Sequence, residues 1–234
     1  MPEARCNKPT VSAVSRTKEE AKQCYDRISR YYDYFTRVFE RKYAEMALEC
    51  LSIVEGETVL EIGFGTGHCL KRIAESIGQR GKVYGIDISS GMIEITKKRL
   101  KKAGLVGRAE LYRGDAATLL FDDNTFDAVF MSFTLELFDT PEIPQVLRQI
   151  KRVLKPEGRL GITSMSKENG ESIFLRIYEW IHNKWPKYVD CRPIYVEQSL
   201  REAGYNIKSK KKISLFRLPG EVVIALNTSS KNIV

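Results

Sequence analysis

The chain has 234 residues, a length that suits one domain with appendages and is sufficient to bury a sizeable core. Its 38 basic and 30 acidic side chains give a formal net charge of +8, and many of the basic residues fall in two runs, 97–102 and 208–212. The aromatic and basic interleaving typical of proteins that bind single-stranded nucleic acids is absent, so a nucleic acid partner is not expected. No segment reaches the roughly twenty apolar residues of a bilayer span.

The two basic runs have two interpretations that the sequence leaves open. They form either solvated, charged surfaces that discourage strand-edge pairing or a contact with an anionic membrane surface. The five cysteines show neither short paired spacing nor flanking histidines, so no metal site is predicted. Their odd number and the absence of an N-terminal apolar stretch favour a reduced, cytoplasmic chain. Cys69 is expected to be a buried packing residue rather than a nucleophile.

The predicted elements begin after a flexible N-terminus over 1–16, and residues 17–234 are expected to form a single domain. Apolar residues at helical spacing predict an N-terminal helical cap over 17–51. Short apolar runs then alternate with helical segments. The predicted strands lie near 58–62, 82–86, 109–112, 126–131, 159–164, 205–212 and 220–227, and the helices near 66–78, 90–103, 142–155 and 194–203. This alternation predicts an α/β fold whose doubly wound, mostly parallel sheet is covered on both faces.

One segment, 165–193, interrupts the alternation after the fifth strand. Ile173, Ile177, Ile181 and Trp185 form an apolar stripe at a spacing of four residues, which predicts a helical insertion. The insertion is either a helix packed on the sheet or a lid that closes an apolar acceptor pocket and excludes water.

Three alternating glycines, Gly63, Gly65 and Gly67, follow the first predicted strand. Such a turn lets a ligand approach the backbone closely, although a plain strand-to-helix turn is the alternative. The second strand ends in Asp87, and an acid at this point can hold the two hydroxyls of a ribose. The two features together predict a nucleoside site at the carboxyl ends of the strands.

The identity of the nucleoside follows from the details of this turn. Its third glycine comes one residue earlier than in the dinucleotide fingerprint, and no Lys-Ser or Lys-Thr pair follows it, which excludes a Walker-type phosphate loop. The carboxylate of Glu61, just before the turn, suits an ammonium group better than a phosphate chain. S-adenosylmethionine carries adenosine, a sulfonium and an amino acid tail, and therefore fits this pattern.

Five motifs in order give this pattern a family resemblance. They are Val59–Gly67, Tyr84–Ser89, Gly114–Ala116, Phe126–Phe130 and Arg152–Leu160. With them, residues from about 25 to 165 resemble a class I S-adenosylmethionine-dependent methyltransferase. The opening segment, Tyr25–Asp33, is similar to that of the menaquinone and ubiquinone C-methyltransferases. The resemblance implies a Rossmann-like, seven-stranded sheet whose last two strands form an antiparallel edge.

The resemblance also implies S-adenosyl-L-methionine as the methyl donor and assigns roles around it. Asp87 is expected to bind the ribose hydroxyls, Ile88 and Met92 to line the adenine, and Asp115 to meet the adenine amino group, unless Asp115 is only a turn residue. Tyr25 and Tyr32 either close over the methionine end or pack on the core. The expected cofactor-binding residues are Tyr25, Tyr32, Glu61, Gly63, Phe64, Gly65, Gly67, Asp87, Ile88, Met92, Asp115, Ala116 and Ser132.

The acceptor side departs from the family pattern after the fourth strand. Many relatives carry a histidine after the glutamate of this segment, whereas here Leu137 follows Glu136. The candidate general bases are Glu136, Tyr178 and His182. The longer Asn-Asp and Ser-x-Gly-x-His-Arg patterns of the quinone enzymes are also absent after Asp33.

The sequence thus predicts a cytoplasmic methyltransferase, with peripheral membrane contact as an option, that aligns its substrates for in-line methyl transfer. The expected acceptor is small, apolar or lipid-like, with a quinone-precursor ring as first choice. One alternative is a phospholipid or small-amine N-methyltransferase. An alternative of another class is a non-catalytic S-adenosylmethionine-binding protein.

Overall fold

The computed structural model describes residues 37–167, 192–215 and 218–228. The predicted flexible N-terminus, the cap up to residue 36 and the insertion between 168 and 191 lie outside these residues. The described helices and strands are α1 (Arg37–Leu51), β1 (Thr58–Ile62), α2 (His68–Ser76), β2 (Lys82–Asp87), α3 (Ser90–Lys102), β3 (Ala109–Arg113), β4 (Phe126–Ser132), α4 (Ile143–Val153), β5 (Leu154–Met165), α5 (Val196–Glu202), β6 (Asn206–Leu215) and β7 (Leu218–Leu226).

The strands form one sheet with the order β3-β2-β1-β4-β5-β7-β6. Strands β1 to β5 pair in parallel, whereas β7 runs antiparallel to both of its neighbours. The predicted α/β fold with a mostly parallel, seven-stranded sheet is confirmed. The last two strands form the antiparallel edge that the resemblance implies, with β7 next to β5 and β6 outermost. The chain reverses its direction of strand addition between β1 and β4, where sheets of this kind bind ligands.

Helices cover both faces of the sheet because its central strands carry apolar side chains on both sides. On one face, Val59 and Phe130 pack with residues of α1, α2 and α3. On the other, Leu60 and Val129 pack with residues of α4 and α5. All four of these strand residues are fully buried, as expected for a parallel sheet enclosed by helices.

The junction between α4 and β5 differs from the prediction. The sequence predicts a helix to residue 155 and a strand from 159, whereas the helix ends at Val153 and β5 begins at the next residue. Pro156 explains the early end, because a residue before proline disfavours helical geometry and proline has no N–H to donate. Leu154 pairs with Phe126 and Arg159 pairs with Ala128, so the residues between them form a bulge.

Two polar contacts fix the start of the central strands. Arg159 on β5 donates to both carboxylate oxygens of Glu57 at 2.7 Å and to the carbonyl of Leu51, the last residue of α1, at 2.9 Å. Asp127 on β4 accepts a hydrogen bond from the backbone N–H of Thr58 at 2.8 Å. These contacts join α1, β1, β4 and β5 at the end of the sheet opposite the glycine turn.

None of the helices in the described part of the chain is both long and apolar enough to cross a membrane.

Candidate active site

The glycine turn between β1 and α2 is closed by its own backbone. All three glycines have positive φ, with 69° at Gly63, 50° at Gly65 and 73° at Gly67. The N–H of Gly63 donates to the carbonyl of Ile86 on β2, and the N–H of Gly67 donates to the carbonyl of Phe64, each at 2.8 Å. The turn is therefore held against the neighbouring strand.

The three glycines differ in what surrounds them. A Cβ on Gly63 would lie 2.4 Å from the side chain of Thr134, and one on Gly67 would lie 2.4 Å from that of Thr96. A Cβ on Gly65 would meet no atom of the described residues within 4 Å. Packing thus requires the outer two glycines, while the middle one presents bare backbone to open space, where a ligand can approach it.

Thr96 and Thr134 are site residues that the sequence analysis did not single out. The hydroxyl of Thr96, on α3, donates to the carbonyl of Gly65 at 3.0 Å. The hydroxyl of Thr134 donates to the carbonyl of Ser132 at 2.9 Å. Neither threonine falls in a sequence motif, so only the fold brings them to the glycines.

Asp87, at the end of β2, lies beside the middle glycine as predicted. One of its carboxylate oxygens accepts from the N–H of Gly65 and the other from the N–H of Ser89, each at 2.9 Å. The N–H of Gly114, in the loop after β3, donates to the carbonyl of Asp87 at 3.1 Å. Asp87 therefore joins the loops that follow β1, β2 and β3.

Glu61 is a buried acid directly before the turn, with 2% of its surface exposed. Burial raises the pKa of its carboxyl well above the ordinary value, and the charge of nearby Asp87 raises it further. Its Oε2 atom has no hydrogen-bond partner among the described residues. A cation brought near this acid would favour its ionised form. The orphaned oxygen and the open side of Gly65 fit a ligand that carries an ammonium group.

Asp115 takes the turn role that the sequence left open as an alternative. Its Oδ1 accepts from the N–H of Ala117 at 2.9 Å and caps a short 3-10 turn, Ala116–Thr118, after β3. Ala116 is buried. This turn follows the Gly114 contact to Asp87, so Asp115 stands at the same edge of the sheet as the glycine turn.

Three predicted cofactor-binding residues, of which Ile88 and Met92 were expected to line the adenine, differ in exposure. Ile88 is half-buried, whereas the side chains of Phe64 and Met92 belong to the core formed with α2 and α3. A Cβ on Gly85 would lie 2.7 Å from the Phe64 ring, which shows how tightly that ring packs against β2. Phe64 therefore presents its backbone rather than its ring to the turn.

On the acceptor side, Glu136 lies on a 3-10 turn, Leu135–Leu137, shortly after Ser132 ends β4. The side chain is fully buried, and its Oε1 accepts from the N–H of Met165 at the end of β5, at 3.3 Å. Burial raises the pKa of its carboxyl to about 8. Within the described ranges, its Oε2 has no hydrogen-bond partner.

Two charged groups that the sequence analysis missed surround this turn. Glu40 on α1 interacts with Glu136, and burial raises the pKa of Glu40 to about 7. Arg192, 1% exposed, donates to the hydroxyl of Thr140 at 2.9 Å and to the carbonyl of Phe138. Burial lowers the pKa of Arg192, while Asp139 and Glu136 raise it. Neither residue falls in a motif, so only the fold brings them to Glu136.

Four predicted site residues, Tyr25, Tyr32, Tyr178 and His182, lie outside the described residues. The first two remain predictions for the cofactor end, and the last two remain candidate bases.

Two further residues of α2 have structural roles. Cys69 is buried as predicted, and burial raises the pKa of its thiol well above the ordinary value. His68 lies with Nε2 3.1 Å from the carboxylate of Glu45 on α1, so it ties that helix to the glycine turn. In residues 37–167, 192–215 and 218–228, no three His, Cys, Asp or Glu side chains are grouped so that they could hold a metal ion.

The strand order and the turn at the β1–β4 switch point define a Rossmann-like fold of the class I methyltransferase type. Residues 59–158 match the family model described as a methyltransferase domain. Among the most similar relatives are the ubiquinone/menaquinone biosynthesis C-methyltransferases UbiE of Escherichia fergusonii and Salmonella arizonae. Each is 35% identical over 127 residues, which cover 54% of this chain and 50% of the relative. The chain thus spans about half the length of the curated relatives it matches.

Solved structures agree with this assignment of the fold. A SAM-dependent methyltransferase from Aquifex aeolicus is 25% identical, with a TM-score of 0.64 over 87% of this chain and 98% of that one. The [4+2]-cyclase SpnF has a TM-score of 0.73 at 20% identity, and the match covers 95% of this chain and 100% of the cyclase. At this identity the similarity shows the fold alone. The predicted resemblance to class I S-adenosylmethionine-dependent methyltransferases close to the quinone C-methyltransferases is confirmed. The cyclase is a reminder that a fold does not identify a reaction.

Proposed function

We propose that this protein is an S-adenosylmethionine-dependent methyltransferase. The observation that carries the proposal is the open side of Gly65, next to the carboxylate of Asp87, at the point where the sheet reverses its strand order. Bare backbone and an acid one strand away suit a ribose and an amino acid tail. The identity to quinone C-methyltransferases supports the same donor.

The residues that would hold the donor divide by charge. Asp87 would accept hydrogen bonds from the ribose hydroxyls, and Asp115 would meet the adenine amino group. Glu61 would meet the ammonium group next to the turn, because its buried carboxyl has an oxygen without a partner among the described residues. When bound, the donor supplies a methyl group already activated on sulfur. The protein then aligns the acceptor with that methyl group and excludes water.

For the acceptor we infer a small, apolar aromatic ring of the quinone-precursor kind. Support comes from the names of the curated relatives. It also comes from the segment after β4, where Phe133 and Leu135 are buried beside Glu136. A buried acid with apolar neighbours suits a ring with one or two ionisable hydroxyls better than a highly polar acceptor.

Isotope transfer tests this function directly. The protein would be incubated with methyl-labelled S-adenosylmethionine and a cell lipid extract, and the labelled product identified by mass spectrometry. The expected product carries the label on a ring carbon. Donor binding without transfer to any acceptor would instead favour a non-catalytic binding protein. Calorimetry that detects no donor binding would contradict both.

One observation favours a phospholipid or small-amine N-methyltransferase as the second candidate. Glu40 and Glu136 are two acids close enough to interact, and such a pair can hold an ammonium group between them. The same experiment separates the two reactions, since the N-methyltransferase would place the label on nitrogen.

A further inference from the structure

Glu136 lies between the glycine turn, where the donor is proposed to bind, and the end of β5 on the acceptor side. Two residues before it, Thr134 packs so closely on Gly63 that no Cβ would fit there. On its other side, its carboxylate accepts from the N–H of Met165 at the end of β5. The turn that carries Glu136 therefore spans the carboxyl ends of β4 and β5, next to the glycine turn.

The carboxyl of Glu136 is only partly satisfied by its surroundings. The backbone N–H of Met165 donates to Oε1, yet Oε2 has no partner among the residues that the structure describes. A fully buried polar atom without a partner is uncommon in a folded protein and needs an explanation. The explanation that we infer is a substrate group that hydrogen-bonds to this oxygen during turnover.

We propose that Glu136 is a catalytic residue, the general base that accepts the hydroxyl proton of a phenol or hydroquinone acceptor through Oε2. The inference rests on the proposed methyltransferase function and names both the acceptor group and its partner in the protein. It selects Glu136 from the three bases that the sequence offered.

The proton balance of this step is complete. Glu136 takes the proton from the acceptor hydroxyl, and the electron pair of the broken O–H bond stays on oxygen. The ring carbon then forms a bond to the methyl carbon while the carbon–sulfur pair stays on sulfur. Loss of the ring C–H proton to solvent restores the aromatic ring as a phenolate. The phenolate recovers its proton from Glu136, so one proton is released for each methyl group transferred.

The charges around Glu136 suit this task. Burial holds its pKa at about 8 and nearby Glu40 raises it, while Ser164 and the backbone of Met165 lower it. Arg192, which also interacts with Asp139, is the basic group that faces the turn from the start of the α5 segment. A base whose pKa lies near the working pH combines a useful ionised fraction with a strong pull on the proton.

Glu136→Gln is the central test, because glutamine keeps the acceptor for Met165 but cannot take a proton. The assay uses labelled S-adenosylmethionine and a short-chain prenylated hydroquinone kept reduced. We expect kcat to fall by about 100-fold or more, with acceptor KM, donor affinity and melting temperature near those of the wild type. In the wild type, kcat should rise with pH to a plateau above about 8. Glu142→Gln, at the start of α4, is the matched control and should leave kcat unchanged.

A second variant keeps the inference testable if Glu136→Gln does not fold. Ser164→Ala removes a neighbouring hydroxyl, which donates to the carbonyl of Met165 and lowers the pKa of Glu136, so the midpoint of the kcat–pH profile should move to higher pH. A structural role for Glu136 predicts no such shift. Full kcat in Glu136→Gln, or an unmoved midpoint in Ser164→Ala, would overturn the assignment and leave the methyltransferase function standing. Failure of the wild type to methylate both the hydroquinone and a lipid extract would contradict the function itself.

Discussion

Gly65 differs from the other two glycines of the turn because no described residue occupies the space beside it. Gly63 and Gly67 are each in contact with a threonine, so their missing side chains serve packing. A substitution at Gly65 therefore tests the ligand side of the turn alone.

We expect Gly65→Ala to weaken S-adenosylmethionine binding at least tenfold, because the new methyl group would occupy the open side of the turn. The positive φ costs an alanine about 1–2 kcal/mol of stability. Gly104→Ala is the control, since Gly104 also has positive φ and open space but lies after α3. Calorimetry and thermal melting would compare them. Equal donor affinity in the two variants would show that the ligand does not approach Gly65.

Asp87→Ala should weaken donor binding by about 1.5–3 kcal/mol for each charged hydrogen bond lost to the ribose. Asp127→Ala is the matched control, because Asp127 also accepts a backbone N–H but lies at the opposite end of the sheet. We expect that variant to lose stability and to keep its donor affinity when both are measured well below the melting temperature. The reverse pattern would remove Asp87 from the site.

At this scale the sequence predicted the residues whose chemistry is visible in a motif. Asp87 lies beside Gly65, and Glu61 lies in β1 directly before the turn, as expected. Thr96 and Thr134 were not predictable, since their role depends on contacts to glycines far away in the chain. The raised pKa of Glu40 could not be predicted either, because it results from burial, and burial depends on the fold.

Among the elements, β5 shows how local geometry and pairing share control of a boundary. Pro156 ends the helix early. Leu154, which no longer belongs to the helix, then pairs with Phe126 of β4 before the bulge. Apolar periodicity alone extended the helix to residue 155, because the apolar pattern of α4 does not change before the proline. The predicted end of the helix is therefore two residues too late, because periodicity does not register the backbone restriction that proline imposes.

Arg159 provides the prediction at this scale, because it joins β5 to the end of α1 and to the residue before β1. Arg159→Ala should lower the free energy of unfolding by about 1.5–3 kcal/mol, since it breaks charged hydrogen bonds in a mostly buried setting. Arg80→Ala removes an exposed ion pair to Glu55 and should change it by less than about 0.5 kcal/mol. Urea unfolding measures both, and equal effects would contradict a special role for Arg159.

For the whole molecule, the alternation of strands and helices predicted the class of sheet and its parallel core. The inner position of β7 could not be read from periodicity, because strand order depends on contacts between distant segments. The resemblance predicted an antiparallel edge and was right about direction. The position of β6 at the edge is a finding of the structure.

The buried acids give the whole molecule a pH-dependent stability. The folded carboxyl of Glu136 holds its proton to about pH 8, while its ordinary pKa is 4.5. The unfolded chain therefore loses this proton first, and the stabilisation present at low pH is lost as the pH rises from about 4.5 to about 8. Melting temperatures measured across this range should fall less steeply in Glu136→Gln than in the wild type. Parallel curves would show that Glu136 titrates normally.

The position of β7 has a consequence for how the chain is made. During synthesis β6 leaves the ribosome before β7, although β7 is the strand with which β6 pairs. The outer edge of β5 also pairs with β7 and stays unpaired until β7 is made. Until β7 has emerged, one edge of β5 and both edges of β6 are unpaired. The lysines of β6 then keep its exposed edge from pairing with other nascent chains.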